Sequence, residues 1–319
     1  MKLLETRFEE YINSVKKNNL YPKLYKIYKQ FPDDLIDLPN IIFYGPPGCG
    51  KYTQALLCIY KYSKNKLKYE RKINIMYNNQ KIEIFRISDI HYEIDMNLLG
   101  CNAKGQWSSF FYHILDILNI KEKKEGIILC KNFHKIDNEL LNIFNGFMTN
   151  ITNKNIIIKF ILITEHIGFI PRQIISKSNI FKIPKLTKEI YKKKLNIKTL
   201  TNVNNITNLK GVKLNILKQN ILLETLTNEI INQIINYKTI DLMLLRENLY
   251  KLFIYQLNVH EFLFFCLKIL IEKDKISVQS MENLIIKTFK ILKFFNNNYR
   301  PIYHLESFVL TLCKEINGF

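Results

Sequence analysis

A chain of 319 residues with 47% apolar side chains is long enough for two or three packed domains. Its formal net charge of +19 favours polyanionic partners, nucleic acid first. Six scattered cysteines without a C-x-x-C pair argue against a zinc site or a disulfide scaffold, and no run reaches the roughly 18 apolar residues of a spanning helix.

The first half alternates in period. Phe8 to Gln30 reads as helix, Ile41–Tyr44 as a short buried strand, and Thr53 to about Tyr62 as helix. Lys72–Tyr77 and Gln80–Ile87 alternate as strands around Asn78-Asn79, a two-residue hairpin turn. Trp107 to Leu118 is an amphipathic helix, Ile127–Cys130 a strand, Glu139 to Met148 a helix and Ile156–Thr164 another strand. Asp137 is placed to cap the helix through Leu140. A short run, Ile180–Ile183, ends at Pro184. Strands separated by helices imply a mostly parallel α/β sheet that binds its ligand at the strand carboxyl ends.

Beyond Pro184 the pattern is helical. Residues 1–185 are expected to form the α/β domain, 186–236 a Lys- and Asn-rich helical subdomain, and 237–319 an all-helical domain. In the last, Leu242, Leu245, Leu249, Leu252 and Phe253 follow helix spacing, Asn258-Val259-His260-Glu261 is a capping-box pattern, and helices are expected over Val278–Phe295 and Tyr303–Glu315.

One motif names its ligand. Gly45, Pro46, Pro47, Gly48, Cys49, Gly50 and Lys51 follow the first strand with the spacing of a phosphate loop. Glycines let backbone N–H groups approach an anion, and the lysine reaches the outer phosphates. ATP or ADP is therefore the expected ligand. The next position, where Ser or Thr holds magnesium, is Tyr52, with Thr53 one place late. Binding is announced and hydrolysis is put in question within nine residues.

The stretch Leu38 to Lys51 resembles the opening of the small subunits of replication factor C, the AAA+ sliding-clamp loader. Asn138-Glu139-Leu140-Leu141-Asn142-Ile143-Phe144, Phe160-Ile161-Leu162-Ile163-Thr164 and Ile174-Ile175-Ser176-Lys177-Ser178 follow in the family's order. The subunit at the δ′ position is the most similar: its phosphate loop also delays the Thr, and it carries a segment like Lys81-Ile82-Glu83-Ile84-Phe85-Arg86 followed by His91-Tyr92-Glu93-Ile94. The resemblance implies an AAA+ domain with parallel sheet, a helical lid and a helical collar. It also implies a hetero-oligomeric ring with other clamp-loader-like subunits, a sliding clamp and DNA as partners, and no membrane. With the bias toward Ile, Asn and Lys, it suggests a large DNA virus as source, and an intracellular place of action in the nucleus or at a cytoplasmic viral replication site.

Departures from the family decide the chemistry. Where hydrolysing relatives place Asp-Glu, the second strand runs into Lys131-Asn132-Phe133-His134. A cation and an amide cannot hold magnesium or orient water, though Lys131 could sit as a fixed charge beside the phosphates. His134 could act as a base but reads first as a solvated loop or helix-start histidine. Thr164 stands where the family has a polar sensor Asn, and Lys177 where it has the Arg offered to a neighbouring subunit, leaving a weak trans-acting finger; exposed Arg172 ranks below it. The expectation is a subunit without a catalytic residue or metal site of its own. Lys104 and Lys121-Glu122-Lys123-Lys124 are candidates for following the DNA backbone. The competing readings are an active ATPase that drives clamp loading, and a structural nucleic-acid binder on the same fold.

Overall fold

The computed structural model describes residues 7–77, 80–99, 102–149, 156–195, 219–236, 240–255, 257–295 and 301–318. They fall into two compact units, residues 2–213 and 214–319.

The first unit is built on a seven-stranded sheet. Its strands are β1 (Asn40–Tyr44), β2 (Arg71–Tyr77), β3 (Gln80–Ile87), β4 (His91–Asp95), β5 (Glu125–Lys131), β6 (Ile157–Thr164) and β7 (Ser178–Lys182). The order across the sheet is β2-β3-β4-β5-β6-β1-β7. From β4 to β7 every neighbouring pair is parallel, whereas β2, β3 and β4 pair antiparallel at one edge. Tyr77 pairs with Gln80, so β2 and β3 are joined by two residues as expected; the turn residues Asn78 and Asn79 themselves lie outside the described set, as does Cys101.

Both faces of the parallel part are buried, and the strand period of two sorts the side chains. Ile42, Ile128, Cys130, Phe160 and Leu162 pack against α4 (Ala103–Ile120) and α5 (Asn138–Thr149). Trp107, Phe111 and Phe144 form the aromatic centre of that layer. Ile41, Phe43, Ile127, Leu129, Ile161 and Ile163 face the opposite way, onto α1 (Phe8–Lys17), α2 (Pro22–Lys29) and α3 (Lys51–Tyr60). The single helix expected over Phe8–Gln30 is two, because Pro22 lacks an N–H and fits only at a helix start. Asp137 caps α5 as expected, accepting from the Glu139 N–H at 2.9 Å.

Short α6 (Arg172–Ile175) leads into β7, and α7 (Lys188–Leu195) follows it. The second unit packs α8 (Gln219–Ile235), α9 (Leu242–Ile254), α10 (Val259–Glu272), α11 (Val278–Phe295) and α12 (Pro301–Asn317) around one core. Of the segment expected as a lid, residues 196–218 lie outside the described set, and α8 packs with α10 and α12. Asn258 caps α10 through its side-chain oxygen, which accepts from His260 and Glu261, and Asp241 caps α9 the same way.

The sole tryptophan, Trp107, lies 4.9 Å from the fully buried Phe144 ring and so reports on the first unit alone. Replacing Phe144 by Ala is expected to cost this unit about 3–5 kcal/mol, read from urea unfolding followed by Trp107 fluorescence. A loss below about 1 kcal/mol would contradict the packing described.

Candidate functional site: a phosphate loop beside a buried charge network

The loop starts where β1 ends, between the flanking strands β6 and β7. Its first residue must be glycine: a Cβ on Gly45 would lie 2.1 Å from the Ile183 carbonyl oxygen. Its last, Gly50, caps α3 in the left-handed region at φ 88°, again a glycine conformation. The hydroxyl of Tyr21 bridges the Cys49 and Pro184 carbonyls at 2.8 and 2.7 Å, fastening the loop to the chain after β7. With one proton it donates to one of them at a time.

Lys51 is buried in the first turn of α3, and its Nζ donates to the carbonyls of Gly45 and Pro46 at 2.6 and 2.8 Å. Burial lowers its pKa, opposed by Cys49 and Glu165 and reinforced by Lys185. The lysine of the motif thus lies inside the loop it serves. Reaching a phosphate means exchanging two carbonyl contacts for charged oxygens, a favourable exchange for an ammonium.

Tyr52 spends its hydroxyl on a residue of the sheet. Its phenol donates to Glu93 Oε1 at 2.5 Å, a length typical of an O–H donor on a carboxylate. Successive helix residues diverge by about 100°, so the half-buried Thr53 does not share that direction. Glu93 sits in β4, opposite Leu129 on one side and Arg86 on the other, and so shares the sheet face that carries α3. Lys131, two residues beyond Leu129, shares it too, and its Nζ lies 3.3 Å from Glu93 Oε2. The same ammonium is 5.5 Å from the centre of the Tyr52 ring.

His91 completes the set, with Nε2 at 3.5 Å from Glu93 Oε1. The Ser88 hydroxyl accepts from the His91 N–H at 3.0 Å and contacts Nδ1. A serine O–H donated to Nδ1 leaves the proton of neutral His91 on Nε2, facing Glu93. Arg86 pairs with Glu70 at 2.8 Å and lies 4.4 Å over the Phe8 ring, and the Phe8 N–H donates to Glu70 at 3.1 Å. Helix α1 therefore closes the network from outside.

The Glu93 side chain is 1% exposed, and burial alone would raise its pKa. Lys131, the His91 hydrogen bond and Arg86 outweigh burial and hold the carboxyl down at about 2. Tyr52 is driven the other way, well above the ordinary phenol, first by burial and then by Glu93. At neutral pH the carboxylate is charged and the phenol keeps its proton.

The remaining sequence candidates separate. Asn132 takes a left-handed conformation at φ 51° and donates to Asp95 at 2.9 Å, exposed at the end of β4. His134 lies in the short helical turn Phe133–Lys135, as one of the two expected settings has it, but it is not solvated: its side chain is 11% exposed. Burial lowers its pKa, with Glu165 opposing, and Nδ1 accepts the Glu165 N–H at 3.3 Å. Thr164 is fully buried and spends its hydroxyl on a local turn, donating to the His166 carbonyl at 2.6 Å. The next residue, Glu165, carries the carboxylate that acts on both Lys51 and His134. Lys177 is exposed and contacts Asn145 of α5 at 3.3 Å, and Arg172 is exposed.

The proposed DNA-following lysines do not form one patch. Lys104 opens α4 and Lys121 follows its end, about 26 Å apart along the helix axis. Residues 121–124 precede β5 and so lie at the end of the sheet opposite the phosphate loop. Lys121 is also committed locally, donating to the Asp89 carbonyl at 2.6 Å and lying over the Tyr92 ring.

Glu93 was missed because β4 was missed. In His91-Tyr92-Glu93-Ile94-Asp95 the even positions are apolar and the odd ones polar, a period of two that marks a strand. The charge within it needed a partner, and that partner sits on another strand. Among the described residues no cluster of three or more His, Cys, Asp or Glu could hold a metal ion, and no helix is long and apolar enough to cross a membrane.

No protein-family model matches the chain, and no curated protein does. Among solved structures, a DNA polymerase III gamma subunit-related protein of Thermotoga maritima is similar over 93% of this chain and 99% of its own, at 10% identity and TM-score 0.45. The RuvB Holliday junction branch migration motor of T. maritima is similar over 60% of this chain, at 14% identity and TM-score 0.34. Saccharomyces cerevisiae RIF2 is similar over 65% of this chain and 73% of its own, at 15% identity and TM-score 0.37. The chain spans about half the length of RuvB, 52%. These superpositions are loose, and the fold rests on this chain's own topology. It has the expected AAA+ architecture: a phosphate loop on an inner strand of a mainly parallel sheet, then a helical region.

The network makes stability depend on pH. Because folding depresses the Glu93 pKa from 4.5 to about 2, its contribution is complete above about pH 4.5 and disappears as pH falls toward 2. Glu93→Gln is expected to cost about 3–5 kcal/mol near neutrality, measured by urea unfolding with Trp107 fluorescence. The gap to the native chain should close through that acid window; a gap that stays constant would exclude the charge as its origin.

Proposed function

We propose that this chain is a clamp-loader-like AAA+ subunit, most like the δ′-position subunit of replication factor C, which binds ATP or ADP and hydrolyses little or none of it. It works as one member of a hetero-oligomeric ring with related subunits, a sliding clamp and DNA. Residues Gly45 to Lys51 form the anion cradle, with Tyr52 and Thr53 in the first turn of the helix behind it. The lid and collar are assigned to residues 186–236 and 237–319, and Lys177 is offered to a neighbouring subunit.

One observation carries the non-hydrolysing reading. The position that should present a carboxylate presents Lys131, and the hydroxyl that should face the ligand is the phenol of Tyr52, turned to Glu93. Both groups are committed to the same buried carboxylate. Orienting an attacking water requires an acid, and holding magnesium requires an oxygen ligand, and these side chains supply neither. The subunit reading draws on the order of sequence segments, the AAA+ topology and the charge of +19, which suits a phosphate backbone.

Steady-state ATP turnover by the purified chain, alone and with primed DNA, is expected at background and unchanged by Lys51→Ala. Turnover above background that Lys51→Ala abolishes would establish the rival reading, an active ATPase.

A further inference from the structure

Phosphate loops of this class ordinarily hold nucleotide together with magnesium, gripped by the hydroxyl after the lysine and by an acid at a neighbouring strand end. The residues here do not fit that ion. The phenol at the hydroxyl position already donates to Glu93, and an ammonium stands at the acid position, where it would repel a divalent cation. Glu93, the carboxylate that both contact, is engaged by Tyr52, Lys131 and His91.

We propose that Lys131, positioned by Glu93, takes the place of the divalent cation, so that the loop binds the phosphates of a nucleoside di- or triphosphate without metal. The inference rests on the nucleotide-site reading above and adds to it the identity of the counter-charge.

The geometry supports that role in three respects. Lys131 ends β5 at the carboxyl edge of the sheet, the edge that carries the loop, on the same face as α3. Its side chain is 23% exposed, whereas that of Glu93 is 1% exposed, so the acid is an internal anchor and the ammonium the group at the surface. An ammonium carries three N–H donors, and Glu93 takes one, leaving donors for a phosphate oxygen. A lysine free to swing would surrender conformational entropy on meeting a ligand; one held by a buried anchor has surrendered it during folding. Tyr52 keeps Glu93 in place from the helix side, 2.5 Å away, which accounts for a bulky phenol directly behind a phosphate loop. Glu93 and Tyr52 are thus positioning residues, and Lys131 the binding one.

The test uses the full chain and a fluorescent ADP analogue, titrated once with excess magnesium and once with excess EDTA. The dissociation constants are expected to agree within about twofold. Lys131→Gln should weaken binding about tenfold in EDTA, the worth of one charge-assisted hydrogen bond, with Trp107 fluorescence confirming that the unit is folded. Binding that requires magnesium would overturn the inference and leave nucleotide binding intact. Unweakened binding by folded Lys131→Gln would likewise overturn it. No binding in either buffer would overturn both this inference and the nucleotide-site reading.

Discussion

A single buried carboxylate organises this site. Glu93 accepts from Tyr52 of the loop helix, Lys131 of β5 and His91 of its own strand, and it faces Arg86 across the β3–β4 pair. An unpaired charge at that depth would be strongly destabilising, so each partner is needed for the others to be tolerable. Two of those partners occupy positions that in a hydrolysing relative would handle magnesium. Tyr52 and Lys131 are therefore coupled through Glu93, and changing either alone removes one of its partners.

The anion cradle depends on Gly45, which approaches Ile183, and on Lys51, buried within the loop. Neither arrangement draws on Glu93, whose partners are Tyr52, Lys131 and His91. A second acid, Glu165, lies on the other flank, tied to His134. It acts on Lys51 as a counter-charge and gives the loop a negative neighbour that the approach of phosphate must overcome.

Local features were legible in the sequence and cross-strand ones were not. The loop, its flanking strand and helix, the β2–β3 pair and the Asp137 and Asn258 caps follow from short-range rules about glycine, period and side-chain oxygens. The break at Pro22 was legible too, and a reading of Phe8–Gln30 as one helix overlooked what proline does to a helix interior. β4 hid behind its three polar residues, although its alternation with Tyr92 and Ile94 was visible. What no single-strand pattern could supply is that Glu93, Lys131 and Tyr52 meet, since they come from β4, β5 and α3 and are joined only by sheet order. Nor does a sequence show that Lys104 and Lys121 stand at opposite ends of one helix, α4.

The most direct measurement is a crystal structure of the chain grown with ADP and manganese, whose anomalous scattering marks any divalent site. The account predicts ADP phosphates on the Gly45–Lys51 loop, no manganese between Tyr52 and Lys131, and an intact Lys131–Glu93 pair. A manganese ion bound by Glu93, with the Tyr52 hydrogen bond broken and Lys131 displaced, would contradict it.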